Sequence, residues 1–382
     1  MSDPQPHPQP ASPSYHHLFS PTSSTSFPPP PVLTADQQLK LREVEVHFGA
    51  VGKSWPVVEG SEELAPLSER EMMFLSRETI LRFLTGTKDD VQAAIKRLDD
   101  CIVWRRTARV EDIDFMFDDV EYESTTGKNL VLGFTPRGQP VIYFFPNRNT
   151  TPLDKRRAIH AVFMVERARD LMLHGVTDLT CIFNFTGKRQ GPPTSISVAR
   201  ETLHILSNHY PENLSLCIMQ DMPWVVKAFV NLMWPFVDAA TKKKVKFASA
   251  DGHEVVQDGE VERGLFLKDC GGDLDLPYHH DTYWPALKAA CKTRRETHLE
   301  TWRSLGPPAV GREERLWKVL RSEGGDEGEM GVAVGAQVGV EGRVEGREAG
   351  GEEEKLCKEE VGEEKEGERV IAGAGEGAGV VT

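Results

Sequence analysis

Between about Leu39 and Thr107, apolar residues recur every three or four positions, the spacing of helices with one buried face. The stretch "LSEREMMFLSRETILRFL" carries Ser68 with Glu71 three residues on, a capping-box pair that supplies partners to two backbone amides left free at a helix start. From Asp90, the positions Val91, Ala94, Ile95, Leu98, Cys101 and Ile102 make one stripe of period 3.6 and predict a second helix. Trp104 and Arg105 at its end read as a helix terminus packing on a neighbour. After Gly127 the period changes: "NLVLGF", "TPRGQP" and "VIYFF" read as two strands joined by a Pro and Gly turn. A long helix is predicted after "TTP", with Thr151 as its cap, Pro152 in its first turn and Gly175 at its end. Next come "LTCIFNF" (179–185) as a buried strand, "TSISVARETLHILSNHY" as a helix, "LSLCIMQ" (214–220) as a strand and "VKFAS" as another. Strands alternating with helices at this spacing predict an α/β layer with a largely parallel sheet, preceded by a helical block.

The stretch "PWVVKAFVNLMWPFVDAATKKK" (223–244) fits no ordinary amphipathic helix. From Trp224 to Val237 only Lys227 and Asn231 are polar, and the run then stops in three lysines. It is shorter than the roughly 18 apolar residues a membrane-spanning helix requires, yet too apolar all round for a water-facing surface. It predicts a helix that faces a core, a lipid pocket or a bilayer surface.

Composition changes the picture at the two ends. Residues 1 to about 36 are rich in Pro, Ser and His without a basic start leading into an apolar core, so neither a signal peptide nor a packed segment is expected. Residues 323–382 are mainly Gly, Glu, Val and Ala, with repeats such as "GAGEGAG", and predict a disordered tail. That tail holds 17 acidic and 6 basic residues, a net of −11 out of the total −14, so the body is near neutral and nothing in its charge points to nucleic acid. Six cysteines (Cys101, Cys181, Cys217, Cys270, Cys291, Cys357) lie far apart without a CxxC pair, which argues against a zinc site or a disulfide framework and for a reduced cytosolic chain. The sequons at Asn149, Asn184 and Asn213 then read as chance triplets.

No GxSxG elbow, post-strand GxGxxG, Walker loop or HExxH is found in the region expected to be ordered, so the chain is not expected to be an enzyme. His279 and His280 beside Asp281 suggest a metal, but neighbours on an extended segment point apart, and a surface or capping role is expected. Glu212 in "HYPENL" and Lys244 in "TKKKV" form the other candidate pair. One precedes a short buried strand and the other closes the apolar helix; adjacent strands would bring them together. They are either two solvated charges or an anion site in which lysine offers a compact charge to a phosphate and the carboxylate accepts hydroxyl protons.

Five motifs in order, "ILRFLTGTKDDVQAAIKRLDDCIVWRR", "GQPVIY", "HYPENL", "PFVDAATKKKVKF" and "CGGDLDLPYHHDTYWPAL", resemble the CRAL-TRIO lipid-transfer proteins of the yeast secretory type over roughly residues 68–290. "GKNLVLGF", "HAVFMVER", "ETLHILSNHYPE" and "YHHDTYWPAL" look most like the fungal phosphatidylinositol-transfer branch linked to azole resistance. The resemblance implies an N-terminal helical region (39–126), a CRAL-TRIO lipid-binding domain (127–290) and a C-terminal helical extension (291–322), between the Pro/Ser-rich start (1–36) and the acidic tail (323–382). It makes Trp224–Val237 similar to the gate helix that covers a hydrophobic pocket and swings aside at a membrane. It implies that Thr241 and Lys244 contact the phosphate of phosphatidylinositol while Glu212 binds inositol hydroxyls and orients the lysine. Lys242 and Lys243 are left as solvated charges that favour anionic membranes. Some members bind phosphatidylcholine through small hydroxyl residues on the strand matching "LTCIFNF"; Leu179 and Cys181 stand there in this chain and argue against that ligand. The expected protein is a monomeric carrier with no cofactor beyond its lipid, peripheral to endoplasmic reticulum or lipid-droplet surfaces, with sterol left open as a second ligand. The competing reading is a non-transferring CRAL-TRIO module that senses lipid or tethers a partner.

Overall fold

The computed structural model of the chain describes residues 14–22 and 24–319; the tail expected at 323–382 and the first residues of the N-terminal segment lie outside the described residues. Helix α1 (Ala35–Phe48) starts at Thr34 through a reciprocal capping box with Gln37. A short hairpin, β1 (Trp55–Pro56) and β2 (Leu64–Ala65), leads to α2 (Glu69–Phe74), whose start is the Ser68 and Glu71 capping box that the sequence predicts. Helices α3 (Arg77–Gly86) and α4 (Val91–Thr107) begin at Ser76 and Asp90, each accepting a backbone amide on its side-chain oxygen. The α4 stripe Ala94, Ile95, Leu98, Cys101 and Ile102 is buried against Val44, Phe48, Ile80 and Phe83 in a core of its own, each large apolar side chain contributing about 1.5–3 kcal/mol.

Helix α5 (Ile113–Ser124) leads into the main sheet. β3 (Asn129–Phe134) and β4 (Pro140–Phe144) pair antiparallel, and β5 (Leu179–Asn184), β6 (Leu214–Gln220) and β7 (Val245–Ala248) add in parallel, in the spatial order β3-β4-β5-β6-β7. The crossovers are α6 (Arg156–Leu171) between β4 and β5, α7 (Ile196–His209) between β5 and β6, and α8 (Trp224–Met233) with α9 (Ala239–Lys243) between β6 and β7. Helices α10 (His253–Gln257) and α11 (His280–Ser304) follow. The fold is the expected α/β class: a helical block and then a largely parallel sheet.

Strand register separates the two faces of this sheet. Tyr143, Ile182 and Ile218 lie side by side on β4, β5 and β6 and are fully buried. One position along, side chains point to the other face, and there Phe144, Phe183, Met219 and Phe247 form a row across four strands. The Phe144 and Phe183 rings stack with centroids 4.5 Å apart. Yet Phe144, Phe183 and Met219 are only half-buried and Phe247 is 59% exposed. One face of the sheet is thus closed by the core, and the other carries an open apolar strip.

Three expectations are corrected. The Pro/Ser-rich start is not an unpacked segment where it is described: Tyr15, Leu18 and Phe19 are buried in the main core. The Tyr15 hydroxyl donates to Pro277 O (2.9 Å) and accepts from the His279 amide (3.0 Å), and its ring meets Tyr283 edge-on. A few apolar residues among prolines carry no period, so averaged composition hides them. Thr151 caps no helix, because its hydroxyl is drawn into a buried polar cluster, donating to Glu123 (2.7 Å) and accepting from Lys128 (2.8 Å). Helix α6 instead starts at Arg156 and ends at Leu171, leaving Gly175 (φ +79°) to the following turn. The division expected at residue 290 falls inside α11, which is continuous from His280 to Ser304. The sequon residues Asn149, Asn184 and Asn213 are buried; Asn184, for example, donates to Asp269 O at 2.7 Å. The five described cysteines are unpaired.

Candidate functional site

Glu212 and Lys244, distant in sequence, meet in space. The corner His209-Tyr210-Pro211-Glu212 ends α7 and turns the chain into β6, while Lys244 is the C-cap of α9 and feeds β7, the parallel neighbour of β6. Lys244 Nζ donates to Glu212 Oε2 at 2.9 Å, and the Lys244 carbonyl accepts from the Cys217 amide at 2.8 Å, so backbone pairing fixes the lysine's origin. The two side chains are 26% and 30% exposed, open enough for a ligand to reach.

Glu212 has φ +54°, in the left-handed region that a non-glycine residue occupies only at a cost of order 1 kcal/mol or more. Its surroundings hold it there. Arg97 of α4 donates to the Asn208 carbonyl (2.9 Å) and to Ser207 O, two of the acceptors that the end of α7 leaves free. Trp104 stacks on His209 at 4.2 Å and meets Tyr210 edge-on. Arg169 donates to Asn213 Oδ1 at 2.7 Å. At Gly86 an added Cβ would stand 2.9 Å from the Pro211 side chain, so only glycine lets the end of α3 approach the corner. Trp104 packs on its neighbour as the sequence predicts. The roles of Arg97, Arg169 and Gly86 were not legible, because each acts on a corner more than 40 residues away.

Thr241 stands one turn before Lys244 on α9. Its amide and hydroxyl both bond Asp238, at 2.8 and 2.6 Å, making Asp238 the N-cap of this short helix. Burial pushes the Asp238 carboxyl up, but these bonds from Thr241 outweigh it and hold the pKa below its usual value. His279 takes the cap position of α11, and His280 Nδ1 lies 2.8 Å from the Tyr278 hydroxyl. Among the described residues no group of three or more His, Cys, Asp or Glu is placed to hold a metal.

The apolar helix α8 is bounded by Pro223 before it and the Trp234–Phe236 3-10 turn after it. Only Val226 and Met233, one helical face, are buried. Trp224 is 81% exposed, and Val225, Leu232 and Phe236 are about half exposed. Lys242 and Arg200 lie over the Trp234 and Phe236 rings at 5.9 and 4.6 Å. No described helix is long and apolar enough to cross a membrane.

Two family models match the chain: "CRAL/TRIO, N-terminal domain" over residues 40–100 and "CRAL/TRIO domain" over 124–271. A CRAL-TRIO domain-containing protein of Schizosaccharomyces pombe is 36% identical over 72% of this chain, a match that spans 26% of that relative's own length. Phosphatidylinositol transfer protein PDR17 of Saccharomyces cerevisiae is 33% identical over 67% of this chain and 76% of its own. The SEC14 cytosolic factor of Eremothecium gossypii is 27% identical over 52% and 75%. A solved structure titled "Crystal structure of Sfh5" covers 70% of this chain and 100% of its own, with a TM-score of 0.43 and 14% identity. The chain belongs to the CRAL-TRIO family of lipid-binding proteins.

Proposed function

We propose that this protein is a phosphatidylinositol carrier. It takes the lipid into an apolar pocket between the open strip of the sheet and α8, and exchanges it between membranes with α8 as the gate. The observation that carries the reading is the Glu212 and Lys244 pair, 2.9 Å apart and held by a left-handed Glu212, at the starts of β6 and β7. Phe247 lies three residues beyond Lys244, about 10 Å along an extended strand, so a headgroup at the pair leaves acyl chains the length of the strip to cover. Lys244 and Thr241 face the phosphate and Glu212 the inositol hydroxyls; the likeness to a protein named for phosphatidylinositol transfer supports this choice of lipid.

A diacyl lipid exposes roughly 30 methylenes, and at about 0.8 kcal/mol each its passage through water costs upward of about 20 kcal/mol. An apolar pocket replaces the bilayer contacts, and no covalent bond changes, so the work is carriage and not catalysis. A lipid without inositol forgoes the hydroxyl bonds to Glu212, each worth about 0.5–1.5 kcal/mol, and this favours the inositol lipid. We extend the proposal to a monomer that visits endoplasmic reticulum or lipid-droplet surfaces from the cytoplasm through the exposed α8 residues. Sterol competes for the same strip without using the charged pair.

The test is mass spectrometry of lipids co-purifying with the wild type and with Lys244→Ala, together with vesicle-to-vesicle transfer. Phosphatidylinositol is expected with the wild type and is lost, along with its transfer, in the folded variant. Retention of both in Lys244→Ala refutes the headgroup assignment. Lipid binding without net transfer in the wild type turns the reading to a sensing or tethering module.

A further inference from the structure

A second polar site shares Arg169 with the corner that carries Glu212. Where α2, α4, α6 and α11 meet the segment 313–319, they line a half-open cleft of about 90 Å³, room for a tetrahedral oxyanion. Three carboxylates line it, and each is already engaged. Glu166 pairs with Arg105 (2.9 Å), Asp170 with Arg167 and Arg295 (2.9 and 3.4 Å), and Glu314 with Lys318 (2.6 Å). Two lining cations form no ion pair among the described residues: Arg70, and Arg169, whose guanidinium donates to Asn213 Oδ1 at 2.7 Å. Burial and then Arg295 lower the pKa of the Arg70 guanidinium, against the pull of Glu111 and Asp170.

Four lining side chains hold an atom without a hydrogen bond: Asp170 Oδ2 and Glu314 Oε2, which meet their cations only as ion pairs, and Trp317 and His298. Trp317 is 5% exposed, and its indole Nε1, a donor only, has no hydrogen-bond partner among the described residues. His298 is 4% exposed and its Nε2 is equally unpartnered. Buried donors are almost always satisfied, so an orphan N–H beside two guanidiniums without an ion pair among the described residues, in a lining of five cations and three carboxylates, favours an acceptor that carries negative charge.

We propose that this cavity binds a phosphate-sized oxyanion, free or as a phosphomonoester, held by Arg70, Arg169 and the Trp317 indole N–H. Paired or planar guanidiniums match the oxygens of such a group in geometry and charge. The bound anion joins four helices to the last described segment of the chain, far from Lys244 in sequence. The site does not depend on the lipid reading.

The test is calorimetric titration of the full chain with inorganic phosphate at fixed ionic strength, beside titration with phosphatidylcholine vesicles with and without phosphatidic acid. It is run on the wild type, Arg70→Gln, Trp317→Phe and Lys244→Ala. Saturable binding is expected, weakened about tenfold or more in Arg70→Gln and measurably in Trp317→Phe, and unchanged in Lys244→Ala, which separates this site from the candidate headgroup site. Saturation by the phosphatidic acid vesicles alone, with the same pattern of variants, supports the site with a lipid as its source. No saturation by either probe overturns the proposal, as does binding kept in the Arg70 and Trp317 variants or lost in Lys244→Ala. Should Arg70→Gln fail to fold, Trp317→Phe, which removes one N–H from a retained aromatic, decides.

Discussion

Arg105 and Trp224 mark two opposite treatments of side chains that sit uneasily where they are. Arg105 is buried, and its guanidinium is shared between Glu166 (2.9 Å) and Glu111 (3.0 Å), while Arg295 holds Glu111 from another side (2.9 Å). Burial pushes the Glu166 carboxyl up, but Arg105 and Arg169 outweigh it and hold the pKa far below the usual carboxylate range. Trp224, by contrast, is left in solvent, on a helix with only two buried residues. Charge is buried at the junction of α4, α6 and α11; apolar surface is exposed around α8 and β7. A buried ion network tolerates almost no rearrangement, whereas an element held by two residues opens at little cost. Rigidity is concentrated behind the Tyr210-Pro211-Glu212 corner, and the loosest apolar packing is on α8.

That contrast can be broken first at Arg105. Arg105→Leu leaves Glu166 buried without its main partner and is expected to cost about 3–5 kcal/mol, read from the urea midpoint; a loss under 1 kcal/mol would contradict the rigid half of the comparison. Acid acts on the same side. Burial, and next Lys318, hold His298 at a pKa of about 3, so the unfolded chain, with its histidine near 6.5, takes up the proton first. Stability is therefore full above about pH 6.5 and falls as pH drops toward 3, by about 2 kcal/mol from this residue at pH 5. His160, buried and flanked by Lys128, is shifted in the same direction. Unfolding midpoints at pH 7 and pH 5 should differ less in His298→Phe than in the wild type; equal differences would remove His298 from the account.

On the open side the expected stability effects are small and the functional ones large. The Glu212 and Lys244 side chains are about a quarter exposed, so Lys244→Ala should change stability by no more than about 1 kcal/mol while abolishing phosphatidylinositol transfer. A large stability loss would make the pair structural. Trp224→Ala should move the midpoint by no more than about 0.5 kcal/mol and still weaken sedimentation with anionic vesicles several-fold. Unchanged vesicle binding would mean that α8 is not the membrane-facing element.

Much of the fold was legible in the sequence because it follows local rules. The Ser68 and Glu71 capping box, the α4 stripe, the strand at 214–220 and the turn between β3 and β4 are set by spacing within a few residues. Thr151 departs from local rules because a good N-cap residue has other uses, and a buried Glu123 and Lys128 claim its hydroxyl. Tyr15 was missed because a single aromatic anchor has no period.

For the candidate site the sequence pattern offered Glu212 and Lys244 as a pair that adjacent strands would bring together, and the family resemblance added Thr241. What it could not supply was the left-handed turn at Glu212, the α4 side chains that hold it, the Asp238 bonds on Thr241, or the row of Phe144, Phe183, Met219 and Phe247. The apolar run at 224–237 determined that a helix would exist there and would be awkward in water; which of its faces docks was decided only by the body it meets. Helical and strand propensities act over a turn or two and are written in adjacent residues. Register between strands, burial of ion pairs and the exposure of one sheet face depend on partners 30 to 180 residues away, and only the packed chain brings those partners together.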